Sequence, residues 1–344
     1  MTLSEGGLLE SDLDEILLRL DSSWNTFRDS TILILGGSGF IGTWLVSAIL
    51  NADRKLSLGI QLIVVSRDVS SARNRFKLTN FSSVTFIEFD LMSEEELSLP
   101  EADYIIHAAT PSIPATGSNQ GFDFRNSTNE GMKSILKTLN KKSYSPKILH
   151  TSSGAVYGIS KGNTMQFEEK NATNYDCERT NYGAIKLSSE KLLQEYAESH
   201  SHHIANPRLF TFMGPHLSLN DHFAIGNFLL DGLENRSIRV KGNPESIRSY
   251  MYPTDLVVWL IRILENPLSQ PLNVGSEKNL TMRELGSLIS LMTSRKDLTF
   301  VNLSEEINCY WPSTSNTRKY YAVDETISLE EGLRRWIYWL KVTS

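Results

Sequence analysis

Cysteine is scarce in this chain, and neither an excess of positive charge nor a long apolar run occurs. Its 344 residues include two cysteines, Cys177 and Cys309, so neither a disulfide framework nor a cysteine metal site is suggested. The 40 acidic residues outnumber the 34 basic ones, which are scattered, and this argues against a nucleic-acid-binding or membrane-binding surface. No apolar stretch approaches the length of a membrane span, and we expect no export signal. We therefore expect a cytoplasmic globule, which could still bind a phosphorylated small molecule.

From residue 31 onward, short β-branched segments alternate with longer amphipathic ones. This alternation is typical of an α/β fold with a doubly wound parallel (Rossmann) sheet. Strands are predicted at Thr31–Leu35, Ile60–Ser66, Val84–Glu88, Tyr104–Ala108, Lys147–Ser152 and Ile204–Leu209. Helices are predicted at Phe40–Leu50, Phe124–Leu139 and Tyr182–Ser199.

Three regions follow from the pattern. An N-terminal helical extension at 1–30 is indicated by apolar residues at helical spacing. These residues are Leu9, Leu13, Ile16, Leu17 and Leu20. A dinucleotide-binding domain is predicted at 31–210, with a later return near 246–275. Residues 211–344 should form mainly a smaller α/β substrate-binding lobe, because the strand–helix alternation there breaks into shorter elements with Gly and Pro.

A glycine-rich turn, GGSGFIG at 36–42, directly follows the first predicted strand and opens a helix. In that context Gly36 permits a tight turn, Gly39 lets the backbone approach a pyrophosphate, and Gly42 lets the helix pack close to the strand. The helix N-terminus, with Phe40 and Ile41, would face the phosphates. The turn therefore predicts a dinucleotide site, the alternative being an ordinary strand-to-helix connection.

The ends of the next two strands bear on the choice of cofactor. Ser66, Arg67 and Asp68 end the second strand, where an acid would bond the ribose 2′-hydroxyl and an arginine would accommodate a 2′-phosphate. Because the arginine comes before the acid, we favour NADP slightly over NAD, although Arg67 could equally be a solvated surface residue. Asp90 and Leu91, after the third strand, are candidates to flank the adenine, with a plain turn as the alternative for Asp90.

Tyr182 and Lys186 lie four positions apart on a predicted helix and so share one face. A nearby ammonium stabilises a phenolate, whose ordinary pKa is about 10, and makes proton exchange with a carbinol possible. Lys186 would also bind the cofactor by donating to the nicotinamide ribose. This spacing also occurs on solvated helices, but the glycine turn favours the catalytic interpretation. Ser152 and Ser153 follow an apolar strand, where a hydroxyl could bond the substrate oxygen or only cap the strand end.

With these motifs the chain resembles the extended short-chain dehydrogenase/reductases, the nucleotide-sugar epimerase/dehydratase group. The resemblance covers nearly the whole length. Further segments that resemble this family are HAAT at 107–110, RLFTFMGP at 208–215, RSYMYPTDL at 248–256, LNVGSEKNLTMREL at 272–285 and SLEEGLRRWIYWL at 328–340. Such a series indicates the family but not the reaction. A homodimer formed through the helix of Tyr182 and its neighbour is what the resemblance implies.

The resemblance also implies residue roles. Ser153 resembles the catalytic Ser/Thr, and Tyr182 resembles the base with Lys186 as its partner. The cofactor-lining segment corresponds to Ala108, Ala109 and Thr110.

The substrate contacts implied by the resemblance lie in the second half of the chain. Arg248 matches an arginine that contacts the diphosphate, which is sensible because a guanidinium fork suits phosphate oxygens. A structural salt bridge is the alternative for that residue. Asn227 and Tyr310 are further candidate substrate contacts.

Departures from the family pattern narrow the expected chemistry. Dehydrating members carry an acid pair after the catalytic Ser/Thr and decarboxylating members a glutamate, whereas this chain has Gly154 and Ala155. Thr211 replaces the asparagine of the RLFNxxGP motif, and Cys309 stands where many relatives have another arginine. The lobe that selects the sugar is therefore atypical, and dehydration or decarboxylation is disfavoured.

The sequence therefore favours an NAD(P)-dependent enzyme that acts on a nucleoside-diphosphate sugar, with hydride transfer at a sugar carbon, which we expect to be C4. A 4-epimerase and a 4-ketoreductase share this machinery. A 4,6-dehydratase or decarboxylase, or a dinucleotide-binding scaffold without activity, are the alternatives. No metal is expected.

Overall fold

The computed structural model describes most of the chain in two compact units. The described residues are 2–4, 6–76, 83–90, 99–109, 132–133, 135–137, 139, 145–158, 166–173, 181–200, 202–220, 223–294 and 296–343. The first unit contains Met1–Val156, Arg179–Arg208 and Val257–Leu272. The second contains Tyr157–Glu178, Leu209–Leu256 and Asn273–Ser344. The later segment in the first unit is thus Val257–Leu272, where the sequence predicts a return near 246–275.

The first unit is built on a six-stranded sheet of order β3-β2-β1-β4-β5-β7, in which every pair is parallel. The strands are β1 Thr31–Leu35, β2 Gln61–Ser66, β3 Val84–Glu88, β4 Tyr104–His107, β5 Lys147–His150 and β7 His203–Ala205. A short strand, β6 Ser152–Ser153, follows β5. The predicted doubly wound parallel sheet is confirmed. Its chain order reverses at β1, whose neighbours are β2 and β4, and ligands bind at such points in open α/β sheets.

The strands are nearly continuous in apolar residues because both faces of the sheet are covered. One face packs on a core that contains Leu33, Leu35, Ile63, Val65, Ile105, Ile148, Ile204, Leu193, Tyr196 and Ala197. The alternate strand residues are buried as well, and they include Ile32, Ile34, Leu62, Val64, Ile106 and Leu149. This double burial explains why the strands are recognisable from sequence.

The first unit's helices are α1 Glu10–Leu20, α2 Phe40–Leu56, α3 Val69–Phe76 and α4 Asn181–His200. Helix α2 is longer than predicted: it continues past Leu50 and ends where Ser57 adopts a left-handed conformation, φ 51°. The predicted helix at Phe124–Leu139 falls mostly outside the described residues. Helix α1 and the 3₁₀ segment Asp21–Phe27 form the N-terminal extension, and α1 packs against α2.

The predicted strand Ile204–Leu209 is two strands, β7 His203–Ala205 and β8 Pro207–Leu209. Pro207 has no N–H to donate to a ladder, and the Asn206 side chain bonds His150 Nδ1 at 3.1 Å. The interruption is therefore local chemistry that hydrophobic pattern alone does not show.

The second unit contains shorter elements. Its strands are β9 Ile238–Lys241, β10 Ile247–Ser249, β12 Asn279–Thr281, β13 Leu298–Val301 and β14 Cys309–Tyr310, and β11 Leu272–Val274 begins at its boundary. Its helices are α5 Ala224–Leu233, α7 Met282–Met292, α8 Ser315–Tyr321 and α9 Leu329–Thr343, while α6 Pro253–Glu265 crosses the boundary. Strand β10 pairs with β12 antiparallel and with β14 parallel, and β9 pairs with β13 parallel. Across the described residues, no helix has the length and apolarity needed to cross a bilayer.

Candidate active site

The glycine turn at 36–42, called the cradle below, is tightly determined by its neighbours. Gly36 has φ +80°, and a Cβ there would lie 2.7 Å from the Ala109 backbone. A Cβ at Gly42 would lie 2.3 Å from the Gly36 carbonyl oxygen. At Gly39, by contrast, a Cβ would meet only the Gly36 oxygen, at 3.4 Å.

Gly39 is also the N-cap of α2, so the cradle brings an open backbone to the start of a 17-residue helix. Phe40 and Ile41 form the first turn, whose N–H groups have no partner within a helix. The combination of open backbone, helix N-terminus and helix dipole suits the phosphates of a dinucleotide. The residues present therefore fit the cofactor that the sequence predicts.

Asp68, two residues past the end of β2, caps the helix that follows it. Asp68 Oδ1 accepts hydrogen bonds from Ser71 N at 2.8 Å and Ser70 Oγ at 2.7 Å, and so caps the start of α3. These bonds, with that from Ser71 N–H foremost, lower the pKa of Asp68. Arg67 beside it is exposed, and the buried Ser66 hydroxyl lies 2.9 Å from Ser38 Oγ of the cradle.

The other predicted cofactor residues are placed as follows. Ala108 and Ala109 are half-buried directly after β4, and Ala109 packs against Gly36 of the cradle. Asp90 is exposed just past β3. Leu91 and Thr110 lie outside the described residues.

Tyr182 and Lys186 share one face of α4, as their spacing predicts. Lys186 Nζ lies 5.9 Å from the centre of the Tyr182 ring and donates a 2.6 Å hydrogen bond to the Thr151 carbonyl. The lysine is buried, with 4% of its surface exposed, while Tyr182 is half-buried. Burial lowers the pKa of Lys186 to about 7, and the charge of Glu190 opposes that shift. Lys186 thus lies beside the phenol in a water-poor site, where its protonation depends on its neighbours.

Ser153 lies two residues after the carbonyl that Lys186 holds. It is on β6 with 8% of its surface exposed, and its Oγ accepts a 3.1 Å hydrogen bond from Ala155 N. Cradle, Ser153, Tyr182 and Lys186 all belong to the first unit.

Sequence reasoning missed a buried polar network next to these residues. Arg208 of β8 binds both carboxylate oxygens of Glu190, with Nε–Oε1 at 3.0 Å and Nη2–Oε2 at 2.8 Å. The Ser152 hydroxyl donates to Glu190 Oε1 as well. Helical spacing could have identified Glu190 from the sequence, because it lies four positions after Lys186 and eight after Tyr182, on the same helix face.

Two histidines of the parallel strands β4 and β5 lie near Lys186. The rings of His107 and His150 are 5.3 Å apart and both residues are buried. Burial, followed by the charge of Lys186, lowers the pKa of His107 to about 3 and that of His150 well below its usual value. Both imidazoles are therefore neutral at physiological pH, and they place no second charge against the lysine.

The second unit has a cavity of about 560 Å³ that is lined by two of the four predicted substrate residues, which are Ser153, Asn227, Arg248 and Tyr310. Arg248 and Asn227 line it, and Asn227 Nδ2 donates to the Phe223 carbonyl at 3.1 Å. Tyr310 does not line the cavity. Its ring instead packs 4.8 Å from that of Phe210 and 5.9 Å from the Arg248 guanidinium.

Arg248 has backbone partners in place of an acidic one. Its Nη1 donates to the carbonyls of Ile247 and Asn308, both at 2.8 Å, and burial lowers its pKa. Among the described residues it forms no ion pair with a carboxylate, so the salt-bridge alternative is not what the structure shows. A half-buried guanidinium that is oriented by carbonyls and lines a cavity suits an anionic ligand.

Two further cations line the same cavity and were not singled out from the sequence. Arg239 and Lys241 are the exposed, alternating residues of β9, and Arg239 is held by the buried carboxylate of Asp231. Their spacing of two residues on a short strand could have shown from the sequence that both cations lie on one face of β9. Together with Arg248 they outnumber the acidic cavity residues, Asp231 and Glu306.

Comparison with known proteins identifies the family and the fold. The model of the NAD dependent epimerase/dehydratase family matches residues 32–275. UDP-glucuronic acid decarboxylase 1 of Arabidopsis thaliana is 26% identical over 315 residues, which are 89% of this chain and 68% of that protein.

Solved structures show the same fold at low identity. An epimerase of Methanothermobacter thermautotrophicus superposes with a TM-score of 0.79 at 18% identity, covering 95% of this chain and 96% of its own. The UDP-glucuronic acid 4-epimerase of Bacillus cereus, in complex with UDP-glucuronic acid and NAD, superposes with a TM-score of 0.75 at 21% identity, covering 91% of this chain and 100% of its own. Because the family model spans well over half of the chain, this protein belongs to the NAD dependent epimerase/dehydratase family.

Proposed function

We propose that this protein is an NAD(P)-dependent enzyme that epimerises or reduces a sugar carbon, C4 in our proposal, of a nucleoside-diphosphate sugar. The observation that carries the proposal is the placement of the buried Lys186 ammonium 5.9 Å from the Tyr182 ring and 2.6 Å from the Thr151 carbonyl. Ser153 follows that carbonyl by two residues. This is the arrangement expected of a group that moves a proton to or from a carbinol.

The roles of the residues follow from their chemistry. The cradle, with Gly36 and Gly39, would bind the cofactor's pyrophosphate, and when bound its nicotinamide accepts or returns a hydride. Tyr182 transfers the proton of the sugar hydroxyl. Lys186 stabilises the phenolate by its charge, and Ser153 orients the sugar oxygen by a hydrogen bond.

For the cavity of the second unit, taken by itself, a nucleoside diphosphate is the proposed ligand. Arg248 would bind the diphosphate, since it lacks a carboxylate partner among the described residues and is aimed by two carbonyls. Asn227 would contact the same ligand. Tyr310 would act only through Arg248, against which it packs.

An assay of cofactor absorbance separates the two reactions. Purified protein is mixed with NADPH or NADH and a panel of keto and hydroxy nucleotide sugars, and products are identified by mass and by NMR. Stoichiometric loss of NADPH with formation of an alcohol supports the 4-ketoreductase, whereas an isomerised sugar without net loss supports the 4-epimerase. Neither product on any member of the panel would refute the proposal.

Decarboxylation is the second candidate, because UDP-glucuronic acid decarboxylases are similar to this chain over most of its length. Against it, the turn after Ser153 offers Gly154 and Ala155, so neither position carries a carboxyl group. Release of CO₂ from UDP-glucuronic acid would establish this candidate in place of the first.

We also propose a homodimer, from the family resemblance alone, which light scattering of the purified protein tests.

Replacing Arg248 by alanine is expected to weaken UDP binding by about 2 kcal/mol, roughly thirtyfold in Kd, because a charge-assisted contact to phosphate is lost. Isothermal titration with UDP measures the effect. Arg334→Ala is the matched control, since Arg334 is exposed on α9 and pairs with Glu331. Equal Kd values for R248A and R334A would exclude Arg248 as the diphosphate ligand.

Arg67 is proposed to select NADP, because Asp68 is engaged in capping α3. Arg67→Ala should weaken NADP⁺ binding roughly tenfold, the value of one charge-assisted hydrogen bond, and leave NAD⁺ binding unchanged. Titration of both nucleotides into both proteins checks this, with NAD⁺ as the internal control. If the wild-type protein already binds NAD⁺ more tightly than NADP⁺, the preference is wrong.

A further inference from the structure

Helix α4 holds the two residues that precede Ser153, Thr151 through its carbonyl and Ser152 through its hydroxyl. Lys186 Nζ donates to the Thr151 carbonyl at 2.6 Å, and the next residue, Ser152, donates its hydroxyl to Glu190. Ser152 and Ser153 constitute the short strand β6. The side chain that the proposed reaction needs at 153 therefore depends on two anchors one helical turn apart.

Glu190 is itself oriented by an arginine of strand β8. Arg208 donates to both carboxylate oxygens of Glu190, at 3.0 and 2.8 Å. Only 5% of the arginine side chain and 6% of the glutamate side chain are exposed. A bidentate pair of this kind determines orientation as well as distance. A buried pair is weak evidence of stabilisation, because desolvation offsets the attraction, so its orienting effect is the more informative property.

Glu190 is also the anionic partner of Lys186. Among the described residues, the charged and titratable groups around the lysine include Tyr182 and Glu190 on α4, His107 on β4 and His150 on β5, with Arg208 of β8 on the far side of Glu190. Both histidines are neutral, so Glu190 is the group in this set that favours the protonated lysine. Its position one turn from Lys186 places that charge on the helix face of Tyr182.

We propose that Glu190, oriented by Arg208, is a positioning residue for the reaction: it fixes Ser152 so that Ser153 is held in place, and it keeps Lys186 protonated beside Tyr182. This inference rests on the proposed function. It assigns no proton transfer to Glu190, which acts through Ser152 and Lys186.

Glu190→Gln tests both parts, because the amide can still accept from Ser152 but carries no charge. We expect kcat to fall roughly tenfold to a hundredfold, as for a small displacement of a reacting group, and KM for the nucleotide sugar to change little. The high-pH limb of the kcat profile should move to lower pH, because an uncharged neighbour lets Lys186 lose its proton more easily. A purely structural role would leave the pH profile in place.

Two controls isolate the cause. Glu195→Gln removes an exposed carboxylate from the same helix and should match the wild type in kcat and pH profile. Ser152→Ala keeps the ion pair and removes one anchor, so kcat should fall while the pH profile stays unchanged. Thermal midpoints and NADPH affinity of every variant are measured alongside, to show that each is folded and binds cofactor.

If Glu190→Gln leaves Arg208 buried without its partner and fails to fold, the double variant E190Q/R208Q replaces it, because neither buried charge then remains. A wild-type kcat and pH profile in whichever variant folds overturns the inference. Tyr182→Phe distinguishes failure of the positioning role of Glu190 from failure of the proposed function. An inactive Tyr182→Phe with an unaffected Glu190 variant refutes only the positioning role, whereas an active Tyr182→Phe refutes the function and the inference with it.

Discussion

Tyr182→Phe is expected to lower kcat about 10²- to 10⁴-fold, the usual contribution of a positioned general acid or base. The phenol is half-buried on α4 with the Lys186 ammonium 5.9 Å from its ring, and phenylalanine retains the ring but has no proton to transfer. Steady-state turnover on the substrate found in the absorbance assay measures the effect. Cofactor affinity should be preserved, because the cradle is untouched.

Tyr196→Phe is the control for this substitution. Tyr196 is on the same helix, and its ring packs against His200 and His202 at the far end from Lys186. It should retain wild-type turnover. If Tyr182→Phe also turns over at the wild-type rate on every substrate tried, the assigned chemistry is wrong, and a dinucleotide-binding protein with another role becomes the better account.

Gly42→Ala is expected to disrupt the cradle even without cofactor. The added Cβ would lie 2.3 Å from the Gly36 oxygen and 2.6 Å from Gly37 Cα, both backbone atoms of a turn that cannot move aside cheaply. Overpacking of this kind costs on the order of 3 kcal/mol, so the thermal midpoint should fall and dinucleotide binding should be lost. Differential scanning fluorimetry and NADPH titration provide the two readouts.

Gly39→Ala separates packing from binding in the same turn. Its Cβ would meet only the Gly36 oxygen at 3.4 Å, and its φ of −71° is available to alanine. The apoprotein should therefore keep its thermal midpoint while its cofactor affinity falls, because the methyl group would occupy the approach to the pyrophosphate. Unchanged NADPH affinity in G39A would show that phosphates do not bind at the cradle.

Elements of the sheet and the cradle were predictable because their signals are local. Strands covered on both faces, such as β1 and β2, read as continuous apolar segments, and the spacing of Gly36, Gly39 and Gly42 follows from one turn of backbone. The shared face of Tyr182 and Lys186 follows from helical periodicity alone. The predicted strand boundaries were less accurate where a proline or a side-chain hydrogen bond interrupts the strand, as at Asn206 and Pro207.

Other features depended on which strands become neighbours. Glu190 contacts Arg208 and Ser152, which lie 18 and 38 residues away in the sequence. A local sequence pattern does not predict contacts over such separations. The role of Asp68 was also undecidable from order along the chain, because a carboxylate after a strand can bind a ribose or cap the next helix. Its hydrogen bonds to Ser70 and Ser71 show the second.

The sequence by itself determined the parallel sheet, the glycine cradle and the helix face of Tyr182 and Lys186, because each depends on a repeat of two or 3.6 residues or on a short turn. Only the tertiary structure decided that Lys186 is buried next to an oriented carboxylate, and that Arg248 lines a cavity with backbone carbonyls as its partners. The reason is that burial and charge pairing are set by residues distant in sequence, whose approach depends on the packing of whole strands and helices.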